Sequence, residues 1–95
     1  MSYMRLVQFK FSPANVGGAD LMASDLIPSI KQQPGCISAA FFGGGADGEC
    51  GICVHWETLG HADAAAAVIG PRLQQHLTGK VVSPADIRLM PVLVS

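Results

Sequence analysis

The most constraining feature of this sequence is a set of strand-like segments that are apolar on both sides. Residues 49–57 show it best, because both alternating sets of side chains are largely apolar: Cys50, Ile52, Val54 and Trp56 on one side, and Gly51, Cys53 and His55 on the other. A sheet with one face in water should alternate apolar with polar residues. With 49% apolar and only 14% charged residues, the chain also has few charges to coat a surface. We therefore expect both sheet faces to be covered, one by helices and the other by a second copy of the chain.

Six segments with regular patterns follow one another along the chain. Strand patterns cover residues 3–11, 36–42, 49–57 and 87–94, and helical patterns cover residues 19–33 and 61–79. In the two helical segments, apolar side chains recur every three or four residues. The resulting order β-α-β-β-α-β predicts an α+β fold of the ferredoxin-like type with a four-stranded antiparallel sheet. Residues 1–95 are expected to form a single domain.

Prolines and glycines predict irregular points within this scheme. Pro28 should kink the first helix or begin a second short segment. The Gly70-Pro71 pair should bend the second helix, since proline fits the first turn of a new helical segment. Pro91 suggests an edge strand or a bulge, and the glycine-rich residues 43–48 suggest a flexible hairpin turn.

The charge pattern argues against two classes of partner. The net charge is −1, and the lysines and arginines are scattered singly, whereas a nucleic-acid surface needs several cations on one face. The longest apolar run is far too short to span a membrane. The first residues lead directly into a strand pattern and do not resemble a signal peptide, so we expect a cytoplasmic protein without a nucleic-acid or membrane partner.

The three cysteines predict neither a metal site nor a disulfide. Cys50 and Cys53 form a C-x-x-C spacing, but residues three apart in a strand point to opposite faces. Together with Cys36 they make an odd count, which indicates free thiols in a protein that is not exported. No histidine and carboxylate cluster has metal-ligand spacing, and no nucleophile-elbow motif is present, which disfavours a conventional hydrolase.

Two residues are candidates for a pocket between the sheet and the helices. Trp56 ends the third strand just before the second helix, where it is either a core anchor or the wall of a cavity. His76 lies near the apolar stripe of the second helix, beside Leu73 and Leu77. Its imidazole could move a proton near neutral pH, or it could be a structural histidine whose hydrogen bonds are satisfied.

Two short motifs resemble the antibiotic biosynthesis monooxygenase family. The first is Gln33-Pro34-Gly35-Cys36-Ile37 after the first helix, where that family has a recurrent "Q-x-P-G" turn. The second is Cys53-Val54-His55-Trp56-Glu57-Thr58, which resembles the family's strand ending in "W-E-[ST]". The resemblance extends over nearly the whole chain, from Tyr3 to about Val94.

This resemblance implies a dimeric α+β barrel, in which two sheets pack face to face with the helices outside. Characterised relatives oxygenate quinone-like aromatic polyketides without a metal or a flavin, so the resemblance implies no cofactor. Trp56 matches the family's strand-end tryptophan, and His76 falls where relatives place a basic or imidazole side chain near the pocket. Gln8 lies on the first strand, where haem-degrading relatives carry an asparagine.

Two hypotheses from different functional classes follow. In the first, the protein is a cofactor-independent monooxygenase for a small aromatic or quinone-like substrate, and His76 or Gln8 assists in removing a proton from it. That substrate would lie against a pocket formed by Phe9, Met22, Leu26, Trp56 and Leu73. In the second, the homodimer is a non-enzymatic barrel that binds a small apolar ligand or a partner protein.

Overall fold

The computed structural model describes residues 1–15, 17–43 and 48–94. The strands and helices follow the predicted order, with a short 3-10 turn at Pro13–Asn15 before the first helix. Their bounds are β1 Tyr3–Lys10, α1 Gly18–Lys31, β2 Cys36–Gly43, β3 Glu49–Trp56, α2 Leu59–Leu77 and β4 Asp86–Pro91. The predicted β-α-β-β-α-β order is therefore confirmed.

The four strands form one antiparallel sheet in the order β2-β3-β1-β4. This arrangement confirms the predicted ferredoxin-like α+β fold and places β4 at an edge, as Pro91 suggested. β4 ends at Pro91, earlier than the predicted residue 94. One more backbone bond follows, from Val92 N to Ser2 O at 2.9 Å, and Leu93 and Val94 beyond it are 82% and 92% exposed.

Both helices pack on one face of the sheet, which we call the helix face. The core lies there, built from alternate residues of the two central strands and from the apolar stripes of both helices. Its buried members are Val7, Phe9, Phe11, Met22, Leu26, Ile30, Cys50, Ile52, Val54, Trp56, Ala62, Ala65, Leu73 and Leu77. The helix stripes thus follow the spacing of three and four residues that the sequence showed.

The other side of the sheet, which we call the open face, carries the second set of alternating residues. Its central part is largely apolar and half-buried, with Met4 and Leu6 of β1 beside Cys53 of β3. His55 Nε2 lies 2.8 Å from the Ser2 hydroxyl, so the imidazole has a hydrogen-bond partner within the same chain. Polar side chains on β1 and β4 also lie on this face: Gln8, Asp86 and Arg88. The open face is therefore more mixed than the helix face.

Each of the two helices contains a proline but runs without a break. Pro28 lies inside α1 and Pro71 lies inside α2, so neither proline begins a separate helix. Each proline removes a backbone donor within its helix. Burial of the apolar stripe against the sheet is the favourable term that holds each helix together despite this loss. Residues 44–47 of the predicted glycine-rich hairpin lie outside the described residues.

The cysteines behave as the strand geometry predicted. Cys50 lies opposite Phe9 on the helix face, whereas Cys53 lies opposite Leu6 on the open face. No disulfide joins the three cysteines. In the described part of the chain, His, Cys, Asp and Glu form no group of three or more that could hold a metal ion. Among the helices that the structure describes, none is both long and apolar enough to cross a membrane.

Candidate functional site

A pocket of about 70 Å³ lies between the helix face of the sheet and α2. The sheet contributes side chains from both central strands, α1 contributes one residue near its end, and α2 contributes small and aliphatic residues. The lining residues are Arg5, Val7, Ile30, Ile52, Val54, Trp56, Ala65, Ala66, Ile69, Gly70 and Leu73. The pocket exists because the residues that α2 presents there are small: Ala65, Ala66 and Gly70 do not fill the gap between the helix and the sheet.

The two sequence motifs meet beside this pocket and fix the position of Trp56. The Gly35 carbonyl accepts a hydrogen bond from Glu57 N at 2.8 Å, which ties the turn after α1 to the end of β3. Gly35 has a φ of +82°, and a Cβ there would lie 2.2 Å from His61 Cγ, so only glycine fits this approach to the start of α2. Thr58 caps α2 by accepting a hydrogen bond from His61 N at 3.1 Å.

Trp56 itself is 3% exposed and points to the helix face. Tyr3 lies opposite it on β1, and Arg5 is the next residue of β1 on the same face. Diagonal neighbours on adjacent antiparallel strands are about 7–8 Å apart, which long side chains can bridge. Trp56 and Arg5 therefore line the same stretch of the pocket.

Two buried nitrogen atoms in this pocket lack a hydrogen-bond partner among the described residues. They are the indole nitrogen Nε1 of Trp56 and the guanidinium nitrogen Nε of Arg5. Both are obligate donors, and a buried donor without an acceptor costs about 1–3 kcal/mol. All other pocket-lining side chains are hydrocarbon. The pocket is thus an apolar space with two donors that no part of the described chain satisfies.

The pocket is small for the aromatic ligands that the family resemblance of the sequence suggests. A buried cavity of about 150 Å³ accommodates benzene in another protein, which is about twice the volume of this 70 Å³ pocket. A single ring therefore needs the pocket to widen or to extend past its mouth. A fused tricyclic substrate would require α2 to move away from the sheet.

Of the five residues predicted for the substrate pocket, two line this pocket and three lie elsewhere in the core. Trp56 and Leu73 line the pocket, but Phe9, Met22 and Leu26 do not. All three are buried in the core, and Met22 and Leu26 are 0% exposed. Helical and strand periodicity identifies residues that face inward, but it does not separate those that touch one another from those that leave a gap.

His76 is also placed differently from its predicted position. It does not line the pocket but faces α1, where its Nε2 lies 2.8 Å from Asp25 Oδ2. Arg72, one turn earlier on α2, forms an ion pair with the other oxygen of Asp25 and donates to the Ser29 hydroxyl at 2.5 Å. We call Asp25, Ser29, Arg72 and His76 the interhelix cluster. This geometry is that of the structural alternative, in which the imidazole is held by a hydrogen bond.

The interhelix cluster shifts the ionisation of its carboxylate. The hydrogen bond with His76 is the largest influence and holds the pKa of Asp25 below its ordinary value of 3.8. Burial opposes this effect, and the positive charge of Arg72 lowers the pKa further. Asp25 therefore remains an anion down to low pH. Each of its carboxylate oxygens has a partner on α2, so the cluster joins the two helices.

Gln8 lies away from the pocket altogether. It stands between Val7 and Phe9 on β1, so its side chain points to the open face, and it is exposed. Within one chain, the sheet separates Gln8 from Trp56. Its predicted role in removing a proton at the Trp56 pocket therefore has no geometric support.

Sequence reasoning missed Arg5. A signal was present, because Arg5 occupies a position on β1 whose neighbours on the same face, Tyr3 and Val7, are both large and apolar. A charged residue at an inward-facing strand position is expensive unless it has a partner. Its partner in the described chain is Asp63 of α2, whose carboxylate lies 3.8 Å from Arg5 Nη2 and is 66% exposed.

Comparisons with known proteins yield structural matches alone. No family model matches the sequence, and no curated protein matches it. Among solved structures, the fold matches one described as antibiotic biosynthesis monooxygenase, at 17% identity and a TM-score of 0.82, covering 97% of this chain and 99% of that chain. The fold is that of antibiotic biosynthesis monooxygenase-type proteins.

Two further structures show what this fold carries elsewhere. A variant of SnoaB, a cofactor-independent oxygenase from Streptomyces nogalater, matches at 13% identity and a TM-score of 0.76, covering 99% of this chain and 95% of that chain. NE2512, a protein of unknown function from Nitrosomonas europaea, matches at 14% identity and a TM-score of 0.87, covering 99% and 91%. At these identities the matches establish the fold.

Proposed function

We propose that this protein binds a small aromatic or quinone-like molecule against Trp56 and oxygenates it with dioxygen, without a metal or an organic cofactor. The observation that carries the proposal is the apolar pocket between the helix face and α2, with Trp56 as its wall. The fold supports it as well, because one structure that shares the fold is a cofactor-independent oxygenase.

The reaction asks little of the protein beyond binding in an apolar space. An activated ring CH₂ of the substrate loses a proton, and the resulting carbanion transfers electrons to dioxygen and forms a carbon–oxygen bond. The peroxide then loses water, so that CH₂ becomes C=O while one oxygen atom enters the product and the other enters water. Exclusion of bulk water from the pocket strengthens the polar contacts to the anion and protects the intermediate.

Incubation under ¹⁸O₂ tests this proposal directly. Anthrone and smaller ring substrates with an activated CH₂ are incubated with the protein, and the products are analysed by mass spectrometry. We expect one ¹⁸O atom in each ketone product and no protein-dependent product without oxygen. Boiled protein controls for spontaneous oxidation. A product yield equal to that of boiled protein for every substrate would contradict oxygenation.

A second candidate function is ligand binding without catalysis. The observation that favours it is the lining itself, which among the described residues includes no histidine, carboxylate, lysine or tyrosine side chain that could act as a base. Native mass spectrometry of freshly purified protein would then detect a retained small molecule, and the ¹⁸O₂ incubation would detect no turnover. Ala66→Met, which adds volume to the pocket, should release such a molecule.

We also propose that the functional unit is a homodimer formed through the open face. Half-buried Met4, Leu6 and Cys53 form its apolar centre. Phe42 and Met90 are each 43% exposed on the outer strands of the same face. A contiguous apolar area of this kind is characteristic of an interaction surface, and a two-fold axis lets the same surface meet itself.

A charge placed in the centre of the open face tests the dimer. Leu6→Glu should give a monomer by light scattering at micromolar concentration, because each copy would bury an unpaired carboxylate in the interface. Leu21→Glu is the matched control, since Leu21 lies on α1 and is 72% exposed. A wild-type protein that is monomeric at the same concentration would contradict the proposal.

A further inference from the structure

Arg5 is the residue in this pocket whose presence is hardest to explain by folding alone. Its side chain is only 21% exposed, and its Nε is buried without an acceptor among the described residues. The contact with Asp63 at 3.8 Å joins Arg5 to a carboxylate that is two-thirds exposed. A long contact to a carboxylate that is mostly in water contributes little, so it does not offset the desolvation of the guanidinium.

The second donor makes the position of Arg5 informative. Trp56 is almost completely buried, and its Nε1 also lacks an acceptor in the part of the chain that is described. The two residues lie on adjacent strands of the same face and line the same pocket. Two side chains that line one cavity with otherwise hydrocarbon walls, each with a buried donor that has no acceptor in the described chain, fit an acceptor oxygen at one end of an apolar molecule.

We propose that Arg5 and Trp56 together bind the oxygenated end of the ligand, and that this ligand is an aromatic molecule bound as its oxyanion, a phenolate or an enolate. The positive charge of Arg5 selects the anion, and the indole N–H of Trp56 donates a second hydrogen bond to it. Both bonds have an ionised acceptor, but only the bond from Arg5 joins two opposite charges, so Arg5 makes the larger contribution. The aliphatic side chains of β3 and α2 enclose the ring.

This inference rests on the proposed function, because it specifies the ligand of the same pocket. It also explains how a pocket whose described lining has no proton-accepting side chain could support the reaction. A guanidinium that stabilises the substrate oxyanion makes the substrate more acidic, so that water or hydroxide suffices to accept its proton. The oxyanion is the electron-rich form that dioxygen then oxidises. With the oxyanion stabilised by Arg5, the reaction needs no side-chain base such as the one that the sequence had suggested at His76.

A chromogenic phenol measures this effect without requiring turnover. 4-Nitrophenol absorbs visible light as the phenolate but not as the phenol, so its ionisation in the pocket can be read by absorbance. Nitrobenzene, which lacks the hydroxyl group, is the matched apolar probe, and its binding is measured by equilibrium dialysis. We expect the wild-type protein to bind the phenolate more tightly than nitrobenzene. We also expect the pKa of bound nitrophenol to be at least about one unit below that of the free dye.

Three variants separate charge, hydrogen bond and structure. In Arg5→Met the pKa of the bound dye should rise above that of the free dye, because an apolar pocket alone disfavours the anion. Arg5→Lys should retain part of the lowering, since it keeps the charge. Trp56→Phe, which keeps the ring but removes the N–H, should weaken phenolate binding by a smaller factor than Arg5→Met. Lys80→Met removes an exposed cation that follows α2 and does not line the pocket, and it should change nothing.

Asp63→Asn tests the alternative that Arg5 is a purely structural ion-pair residue. If Arg5 serves the ligand, removal of Asp63 leaves a more available guanidinium, and phenolate binding should be unchanged or tighter. Circular dichroism and thermal unfolding of each variant verify that the fold is retained. If Arg5→Met does not fold, Arg5→Lys and Asp63→Asn still decide the question by the direction of the pKa change.

The outcomes distinguish failure of this inference from failure of the proposed function. If nitrobenzene binds but the phenolate binds no more tightly, the pocket exists and the role of Arg5 is refuted. An equal pKa of the bound dye in wild type and in Arg5→Met would also refute it. If neither probe binds at millimolar concentration, the small-molecule pocket fails and the inference fails with it.

Discussion

The Trp56 pocket and the interhelix cluster both contain polar side chains in the layer between α1, α2 and the sheet, but their hydrogen bonding differs. In the interhelix cluster the polar groups are matched: Asp25 accepts from Arg72 and His76, and Ser29 accepts from Arg72. In the pocket, Arg5 Nε and Trp56 Nε1 are buried and have no acceptor among the described residues. Polar groups that hydrogen-bond one another are typical of a structural contact. Buried donors without an acceptor in the described chain are typical of a site that binds a ligand.

This difference reverses the ranking that residue types alone suggested. Histidine is the side chain most often associated with proton transfer near neutral pH, and it drew attention to His76. However, its Nε2 is engaged by Asp25, and it lies outside the pocket. Arginine in a strand reads as an ordinary surface residue, yet Arg5 lines the pocket. The state of its hydrogen bonds indicates function better than the type of residue does.

The largest expected effect comes from Trp56, because it serves both the core and the pocket. Trp56→Ala should lower the free energy of unfolding by about 3–5 kcal/mol, as removal of a buried aromatic side chain leaves a large cavity. Trp56→Phe should cost much less, since most of the ring remains. Urea denaturation followed by circular dichroism gives both values. Equal losses in the two variants would mean that the indole N–H has an acceptor after all.

The next effect separates pocket volume from core packing. Ala66 lines the pocket and is half-buried, so Ala66→Met should place its side chain in the space and weaken nitrophenolate binding by more than about tenfold. Ala67 is the matched control, because it is the adjacent residue on α2 and is exposed. Thermal unfolding of both variants should stay close to wild type. Full binding by Ala66→Met would place the ligand elsewhere.

The architecture was accessible from the sequence because it depends on periodicity. Alternation in residues 49–57 placed Trp56 and Val54 on one face and Cys53 on the other, and the register of β3 against β1 agrees. Pro91 marked the edge strand for the same local reason, since proline cannot donate to a neighbouring strand. These features follow from backbone geometry, which is local in the sequence.

The site was less accessible because it depends on distances across the fold. Met22 and Leu26 belong to the same inward stripe as Ile30, but Ile30 is the one that borders the pocket. The pairing of Asp25 with His76 joins residues 51 positions apart, and no local pattern announces it. A gap between packed elements arises where small side chains on α2 face the sheet. Predicting such a gap requires knowing how the helix lies on the sheet.

A smaller effect is expected at His76, and it distinguishes the interhelix cluster from the Trp56 pocket. His76→Gln should leave nitrophenolate binding and any oxygenation rate within about twofold of wild type, since the imidazole does not line the pocket. Its melting temperature should fall, because an amide replaces a partner of Asp25. Arg5→Lys should show the opposite profile, with altered binding and little change in melting. A tenfold loss of oxygenation in His76→Gln at unchanged stability would restore His76 as a catalytic residue.

The smallest effect appears in the acid range and involves Asp25. Because His76 and Arg72 hold its pKa below 3.8, the folded protein keeps Asp25 ionised under conditions in which the unfolded chain would protonate it. Its contribution to stability is therefore complete above about pH 4 and is lost as the pH falls through the lower value of the folded state. Asp25→Asn should be less stable than wild type at pH 6, and the difference should shrink below pH 4. Asp86→Asn is the control, since Asp86 lies at the edge strand and its bond to Arg88 joins two exposed side chains. If the Asp25→Asn difference were constant from pH 6 to pH 2, the ion pairs of Asp25 would contribute nothing to folding. The interhelix cluster would then not be a stabilising contact, and the contrast with the Trp56 pocket would fail.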